Sequence, residues 1–269
     1  MPISSGLPGT AAAHTSTAAA VRAGHVLLAS APDDPHPEAA GGALLASSPA
    51  VVLRTVPAGD EAAVTAALTG TGRAVCRYLD RIVLTAATGP DCRALLPALY
   101  DVLGEAYELL ADTGRNVAAA EWALAALATR AGRPPRAVLD VGCGSGLALR
   151  ARNRPPELTG WDPSPVMRHL AAAAGMPVLD TLTPAPDQVW DAALACYVLH
   201  LPSAAETVPQ VLRLLRPGAP LAGNVHRSAD PGALPAVCAR YGIARQTVDR
   251  HPLHGDLVVL SLTCDSGAV

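Results

Sequence analysis

From Arg136 onward, short runs of apolar residues alternate with longer stretches of helical spacing. Helices are predicted at Pro165–Ala174 and Ser203–Leu215. The apolar runs have the length of buried strands, and they are Ala137–Val141, Leu158–Trp161, Pro177–Leu179, Asp191–Cys196 and Leu221–Val225. Strands that alternate with helices indicate a parallel sheet that is covered by helices on both faces.

The end of the chain has a different pattern. Ala244–Arg250 and Asp256–Thr263 are strand-like stretches that are separated only by a short turn around His254 and Gly255. With no helix between them, they predict a hairpin that adds an antiparallel strand to the sheet edge. The expected fold class is therefore α/β, with a doubly wound, mostly parallel, seven-stranded sheet and an antiparallel C-terminal hairpin.

Residues 1–113 lack this alternation, and Ala50–Val56 alone has clear strand character. Apolar residues have helical spacing in three stretches, at Asp60–Leu68, Arg73–Ala86 and Cys92–Ala111. We therefore predict two parts, a mainly helical N-terminal extension over residues 1–113 and the α/β domain over residues 114–269.

Composition restricts the classes of function. Half of the residues are hydrophobic, which is enough for a sizeable core, and the net charge is −3. A chain without a basic balance is not expected to bind nucleic acid. All 20 basic residues are arginine, so no lysine is present to serve as a base near neutral pH. The abundance of Ala, Gly, Pro and Arg is typical of a GC-rich bacterial genome.

Cysteines and the N-terminus bear on the compartment. The six cysteines are scattered and form no C-x-x-C pair, so neither a metal site nor a disulfide framework is predicted. The N-terminus lacks the basic and apolar regions of a signal peptide. No stretch reaches the roughly 18 apolar residues of a membrane span. We expect a cytoplasmic protein that has no membrane partner.

The strongest chemical signal is the segment Asp140-Val-Gly-Cys-Gly-Ser-Gly146, which begins inside the strand Ala137–Val141. Glycines permit positive φ and allow a ligand to approach the backbone closely. The N–H groups of such a turn suit a polar or anionic ligand edge. An acid stands two residues before the first glycine, where a dinucleotide-binding loop usually has a small apolar residue.

This D-x-G-x-G-x-G segment resembles motif I of class I S-adenosylmethionine-dependent methyltransferases. Three further segments match the family pattern in order: Leu158–Pro165, Val189–His200 and Leu212–Gly218. The resemblance covers roughly residues 115–265. It implies a Rossmann-like fold, S-adenosylmethionine as cofactor, and methyl transfer to a small molecule.

The resemblance also implies cofactor-binding residues at the strand ends. Asp162 is expected to accept hydrogen bonds from both ribose hydroxyls, and the alternative is that it only caps the following helix. Asp140 is expected to orient the loop and to reach the methionine amino group. Asp180 is expected to meet the adenine amino group, and the alternative is a simple loop aspartate. The other expected cofactor contacts are Gly142, Cys143, Gly144 and Gly146 under the methionine portion, Pro163 beside Asp162, Thr181 and Leu182 along the adenine ring, and Cys196 beside the sulfonium.

The catalytic residue is harder to predict, because a sulfonium is already activated and much of the catalysis is positioning and desolvation. A base is needed only if the acceptor must lose a proton. His200 follows the fourth strand and is the first candidate base, since an unperturbed imidazole titrates near pH 6.5; the alternative is a packing role. His226 ends the fifth strand and is a second candidate, and Tyr197 is expected to shape the acceptor pocket.

The N-terminal extension is expected to form either a lid or the surface of a homodimer. Tyr100 and Tyr107 share a predicted helix face and are candidates to cover the site, with core packing as the alternative. Arg115 and Asn116, at the start of the next helix, are candidates to approach the methionine carboxylate.

Bacterial secondary-metabolite biosynthesis is the expected setting. Two other functions stay open: a tailoring enzyme of this fold that cyclises or decarboxylates its substrate, and a non-catalytic scaffold.

Overall fold

The computed structural model describes residues 8–34, 42–56, 59–86, 95–183, 189–226 and 232–262. The chain forms two compact units, Met1–Asp112 and Thr113–Val269. Each unit has its own β-sheet.

The N-terminal unit is organised around a five-stranded sheet in the order β2-β3-β1-β5-β4. Its strands are β1 (Val26–Ser30), β2 (Leu44–Ser47), β3 (Val52–Val56), β4 (Ala74–Tyr78) and β5 (Ile82–Ala86). Its helices are α1 (Pro8–Arg22), α2 (Glu61–Gly70), α3 (Leu96–Leu103) and α4 (Ala106–Leu110). Helix α2 packs Val64 and Leu68 against the strand residues Leu28, Val56 and Val83.

This sheet corrects the sequence interpretation, because a mainly helical extension accounts for the helices but not for the strands. The strand predicted at Ala50–Val56 is confirmed as β3. The helix predicted at Arg73–Ala86 is wrong, since this segment forms the antiparallel β4–β5 hairpin. Its turn places Leu79 and Asp80 at φ 49° and 56°. Leucine seldom adopts that conformation, so the residue types give no sign of the turn.

The prediction of a single helix at Cys92–Ala111 also has to be corrected. Its first residues lie outside the described part of the chain, and the remainder is divided into α3 and α4 at Gly104. Gly104 has φ 51°, which an α-helix cannot contain.

The C-terminal unit contains a six-stranded sheet in the order β10-β11-β9-β8-β6-β7. Its strands are β6 (Ala137–Val141), β7 (Glu157–Trp161), β8 (Ala192–Ala195), β9 (Leu221–Val225), β10 (Ile243–His251) and β11 (Gly255–Leu262). Its helices are α5 (Thr113–Ala131), α6 (Pro165–Ala173), α7 (Ala204–Leu214) and α8 (Leu234–Tyr241). Strands β7, β6, β8 and β9 run parallel, whereas β11 is antiparallel to both β9 and β10.

The sheet has one strand fewer than predicted. The segment Pro177–Leu179, which is predicted as the third strand, pairs with β7 only through the bridge between Gly160 and Val178. Gly160 N donates to Pro177 O at 2.8 Å, and Leu179 N donates to Gly160 O at 2.9 Å. Proline has no N–H for the ladder, which is consistent with a bridge in place of a full strand.

Helices cover both faces of this sheet, because successive strand residues point to opposite sides. On one face, Val138 and Leu194 pack with Ala123 and Leu127 of α5. On the other face, Leu139 and Ala193 pack with residues of α7 and α8, including Val208, Val211 and Val237. In such a sheet the ligand crevice lies outside the carboxyl ends of the parallel strands.

None of the helices in the described ranges has the length and apolar character needed to cross a lipid bilayer.

Candidate functional site

The glycine loop that follows β6 folds back against the end of β7. Gly142, Gly144 and Gly146 have φ 70°, 54° and 85°. The N–H groups of Gly142 and Cys143 both donate to Trp161 O, at 2.7 Å and 3.1 Å. The positive φ values make this path available to glycine and strained for other residues, so the loop geometry follows directly from the residue types.

The loop also leaves no space for side chains where it meets its neighbours. A Cβ atom at Gly142 would lie 2.4 Å from Val198 Cγ2, in the segment after β8. A Cβ at Gly146 would lie 3.3 Å from Ala171 Cα in α6. The ends of β6, β7 and β8 therefore converge on one point at the carboxyl edge of the sheet.

Asp162, the residue after β7, fastens the loop. It is 4% exposed. Its Oδ2 accepts a hydrogen bond from Gly144 N at 3.0 Å, and its Oδ1 accepts one from Ser164 N at 2.9 Å. The N-cap of α6 is Ser164, whose Oγ accepts from Met167 N at 3.1 Å. The alternative of Asp162 as a simple helix cap is thus replaced by a role in holding the loop. Pro163, the residue after Asp162, is exposed.

Asp140 is buried beneath the same loop, with 4% exposure. Burial, followed by the negative charge of Asp162, raises the pKa of this carboxyl to about 7. Within the described residues, no ion pair joins Asp140 to a basic side chain. Two acids in one buried site favour a ligand that carries positive charge.

The segment expected to contact adenine follows the bridge to β7. Asp180 and Thr181 are exposed, and Leu182 is half-buried against the core. Thr181 Oγ1 donates to Thr183 Oγ1 at 3.2 Å. These residues follow a segment parallel to β7, which brings them to the edge that carries Asp162. Their adenine contacts stay predictions.

The two cysteines of the site are thiols. Burial, then the charges of Asp140 and Asp162, raises the pKa of Cys143 far above its ordinary value. Burial and Asp140 likewise raise the pKa of Cys196. A thiolate is the reactive form of cysteine, so the raised pKa of Cys143 favours a small buried side chain over a nucleophile.

The three predicted catalytic candidates lie close together beyond β8 and β9. The rings of Tyr197 and His226 have centroids 5.4 Å apart, and those of His200 and His226 are 6.1 Å apart. His200 is 7% exposed, and its role as a base stays a prediction.

Arg115, at the start of α5, joins this group. Its Nε donates to Tyr197 Oη at 3.1 Å, and its Nη2 lies 3.0 Å from His226 Nδ1. It also donates to Leu253 O. Arginine is only a donor, so it occupies a lone pair of His226 that a general base would use. This contact weakens the case for His226 as the base.

Sequence reasoning missed two members of the group, His254 and Asn224. Tyr197 Oη lies 2.7 Å from His254 Nδ1. Asn224 Oδ1 accepts from Tyr197 N at 2.7 Å, and Asn224 Nδ2 donates to His254 O at 2.7 Å. The sequence places His254 only in the turn of the C-terminal hairpin, and the pairing of β11 with β9 brings it to the site.

In the N-terminal unit, Tyr100 contacts Tyr107 and Tyr78 edge to face, with ring centroids 5.6 Å and 6.2 Å away. The hydroxyls of Tyr78 and Tyr100 also form a hydrogen bond. These contacts describe a packed aromatic cluster within that unit, as the core-packing alternative expects.

Across the residues that the structure describes, no group of three or more His, Cys, Asp and Glu side chains is arranged to hold a metal ion.

Comparison with known proteins bears on this site. A family model described as "Methyltransferase domain" matches residues 112–248. A search of the curated proteins finds no match.

Three solved structures illustrate the similarity of this chain to bacterial proteins. CalS10 is an amino pentose methyltransferase from Micromonospora echinaspora, with 19% identity, coverage of 59% of this chain and 97% of that one, and a TM-score of 0.47. DesVI from Streptomyces venezuelae has 13% identity, coverage of 65% and 100%, and a TM-score of 0.44. The N-methyltransferase NodS from Bradyrhizobium japonicum, in complex with S-adenosylhomocysteine, has 15% identity, coverage of 52% and 83%, and a TM-score of 0.40.

Proposed function

Because this chain belongs to the family described as "Methyltransferase domain", an S-adenosylmethionine-dependent methyltransferase family, we propose that it methylates a small molecule at the carboxyl edge of its six-stranded sheet. One observation carries this proposal. The hydrogen bond from Gly144 N to Asp162 Oδ2 joins the glycine loop to the acid at the end of β7. It places the two groups expected to hold the cofactor side by side.

The donor and acceptor groups of the site fit the cofactor. Asp162 has both oxygens anchored by backbone N–H groups. A carboxylate oxygen can accept more than one hydrogen bond, so we expect Asp162 to receive the ribose hydroxyls as well. Asp140 supplies a buried carboxylate for a cationic amino group. The glycines at 142, 144 and 146 provide the close backbone approach for the methionine portion, and Asp180, Thr181 and Leu182 provide an edge for adenine.

When bound, S-adenosylmethionine supplies an activated methyl group. The residues of this chain therefore have to bind and orient the acceptor and to exclude water, because the acceptor atom must lie in line with the methyl carbon. Cys196, directly after β8, presents a neutral thiol beside that position. Tyr197 and Arg115 supply a hydroxyl and a fixed cation for the acceptor.

A small acceptor fits the charges of the chain. The net charge of −3 gives no general attraction for nucleic acid. The polar groups that converge beyond β8 and β9 belong to a small number of side chains: Arg115, Tyr197, His226 and His254. A secondary metabolite with an ionisable oxygen or nitrogen suits such a site. The N-terminal unit as a lid or homodimer surface stays a prediction.

The first test is incubation with S-adenosylmethionine that carries a 13C-labelled methyl group and a panel of phenolic, hydroxy-acid and amine acceptors. We expect S-adenosylhomocysteine to form in a one-to-one ratio with a product that contains the labelled methyl group. A product that forms while the cofactor stays intact would support a cyclase or decarboxylase instead. Absence of calorimetric binding of S-adenosylhomocysteine would support a scaffold.

The pKa of Asp140 makes a second expectation testable by pH. The folded value of about 7 is raised above the ordinary 3.8, so the free folded protein binds a proton between these values that the unfolded chain has lost. The contribution of Asp140 to the stability of the free protein should therefore fall as pH rises from about 4 to about 7, and then level off; the difference in stability from the Asp140→Asn variant isolates this contribution.

Cofactor binding should couple to the same group. A cationic amino group beside Asp140 favours the carboxylate, so binding of S-adenosylhomocysteine should release a proton near pH 6 and tighten up to about pH 7. Calorimetry in two buffers of different ionisation enthalpy measures this release. Asp140→Asn should abolish it, and equal heats in both buffers for the unsubstituted protein would contradict the assignment of Asp140.

A further inference from the structure

Tyr197 has a backbone conformation that requires support. Its φ is 58°, in the left-handed region that residues other than glycine seldom adopt. Asn224 stabilises it, since its Oδ1 accepts from Tyr197 N while its Nδ2 donates to His254 O, both at 2.7 Å. One buried amide thus fixes the backbones of Tyr197 and His254 relative to each other. Strained residues of this kind persist where surrounding contacts determine them, and they cluster at functional sites.

The Tyr197 hydroxyl lies between a cation and an imidazole. Arg115 Nε donates to Oη at 3.1 Å, and Oη lies 2.7 Å from His254 Nδ1. The guanidinium is also 5.5 Å from the ring centroid of Tyr197. Because arginine only donates, the phenol can direct its own proton to His254. A cationic donor and a proton-accepting imidazole both favour negative charge on the phenol oxygen.

His254 is held in place by rings on its other sides. It stacks on His251 with centroids 4.4 Å apart, and its ring lies 5.7 Å from that of Trp122. Trp122 Nε1 donates to Asp249 Oδ2 at 2.9 Å. Among the described residues, the titratable and charged groups shown near the pair are Arg115 on α5, His226 after β9 and His251 on β10, with Asp249 held through Trp122.

The position of Tyr197 links this pair to the cofactor loop. Its neighbour Val198 occupies the space where a Cβ of Gly142 would lie, at 2.4 Å. Tyr197 is half-buried, whereas His254 is 5% exposed. The hydroxyl thus stands at the carboxyl edge where the acceptor is expected, with His254 behind it.

We infer that Tyr197 takes the proton of the methyl acceptor and that His254 is the positioning residue that receives the phenol proton in turn. This inference rests on the proposed methyl transfer. The acceptor X–H bond breaks, its proton moves to Tyr197 Oη, and the phenol proton moves to His254 Nδ1. The electron pair left on X forms the bond to the methyl carbon, while the pair of the carbon–sulfur bond stays on sulfur. The imidazolium then returns one proton to water.

NMR of the whole 269-residue chain tests the coupling of Tyr197 to His254 without any acceptor. The protein is labelled with [13Cζ]tyrosine and ring-[15N]histidine, and the signals are assigned with Tyr197→Phe and His254→Asn. We expect His254 to carry its proton on Nε2, with Nδ1 as hydrogen-bond acceptor. Between about pH 5 and 8, where imidazoles titrate, the 13Cζ signal of Tyr197 should shift together with the protonation of His254.

Two matched variants show whether the pH response of Tyr197 comes from His254 itself. The His254→Asn variant keeps an acceptor oxygen near the place of Nδ1, but its amide takes up no proton. The Tyr197 signal should therefore stay constant over this pH range. His251→Asn alters the stacked neighbour, and an amide oxygen can still accept from Leu253 N as His251 Nδ1 does at 3.1 Å. In that variant the Tyr197 signal should still follow His254. Proton–nitrogen correlation spectra serve as the control that both variants are folded.

A proton on Nδ1 of His254 would overturn the inference, because the imidazole would then donate to the phenol. A Tyr197 signal that titrates equally in the His254→Asn variant would also overturn it. Calorimetry with S-adenosylhomocysteine on the unsubstituted protein tests cofactor binding separately. Absence of that binding would reject the proposed function. The coupling of Tyr197 to His254 is measured in the free protein, so the two failures are distinguishable.

Discussion

Replacing Gly142 by alanine is expected to abolish binding of S-adenosylhomocysteine. The new Cβ would lie 2.4 Å from Val198 Cγ2, and the residue would have to adopt φ 70°. Valine is stiff at χ1, so the segment after β8 must shift or the loop must open. Overlap and left-handed backbone together are expected to lower the free energy of unfolding by roughly 2–5 kcal/mol. Calorimetric titration and chemical denaturation measure the two effects.

Gly132→Ala is the matched control, since Gly132 has φ 68° at the end of α5 and nothing lies within 4 Å of the added Cβ. It has the same backbone strain without the overlap, so its cost should be about 1–2 kcal/mol and its affinity for S-adenosylhomocysteine should be unchanged. Equal affinity in the Gly142→Ala and Gly132→Ala variants would show that the loop does not form the cofactor site.

Asp162→Ala is expected to weaken S-adenosylhomocysteine binding by about 1–3 kcal/mol, or about 5- to 150-fold. The variant loses the acceptor for ribose hydroxyls, and it also releases Gly144 N and Ser164 N from their hydrogen bonds. Both effects act on binding, the first directly and the second by freeing the glycine loop. The affinity is measured by calorimetry at a pH where Asp140 does not titrate.

Asp191→Ala separates binding from general stability. The carboxylate of Asp191 also accepts from two backbone N–H groups, those of Arg136 and Ala137, each at 3.1 Å. These contacts lie at the amino ends of β6 and β8, away from the loop. We expect a loss of stability with unchanged affinity. Unchanged affinity in the Asp162→Ala variant would refute the assignment of Asp162 to the ribose.

The C-terminal unit was predictable because its signals are local. Asp140, the three glycines and Asp162 lie within 23 residues of sequence, and their conformations depend mainly on residue type and on the ends of adjacent parallel strands. Buried strands such as Ala137–Val141 also have short apolar runs that the pattern detects directly. The apolar run at Pro177–Leu179 predicts a strand, but Pro177 has no N–H for the ladder, and the segment forms only a bridge with β7.

The missed features depend on contacts that are distant in sequence or on atypical turns. His254 reaches Tyr197 across 57 residues, and only the antiparallel pairing of β11 with β9 creates that contact. The β4–β5 hairpin turns at Leu79 and Asp80, without glycine. Because no residue marks the turn, the apolar spacing of the segment predicts a helix. The two hydrogen bonds of the Asn224 side chain, to Tyr197 and His254, are also tertiary contacts. The residue types alone do not predict them.

The aromatic residues are divided between the two units in a way that makes each one optically distinct. All three tryptophans, Trp122, Trp161 and Trp190, belong to the unit Thr113–Val269. The other unit has three tyrosines, Tyr78, Tyr100 and Tyr107, and no tryptophan. Tryptophan emission during denaturation therefore follows the C-terminal unit alone. Trp161, whose carbonyl receives the N–H groups of Gly142 and Cys143, is a native fluorophore at the cofactor loop.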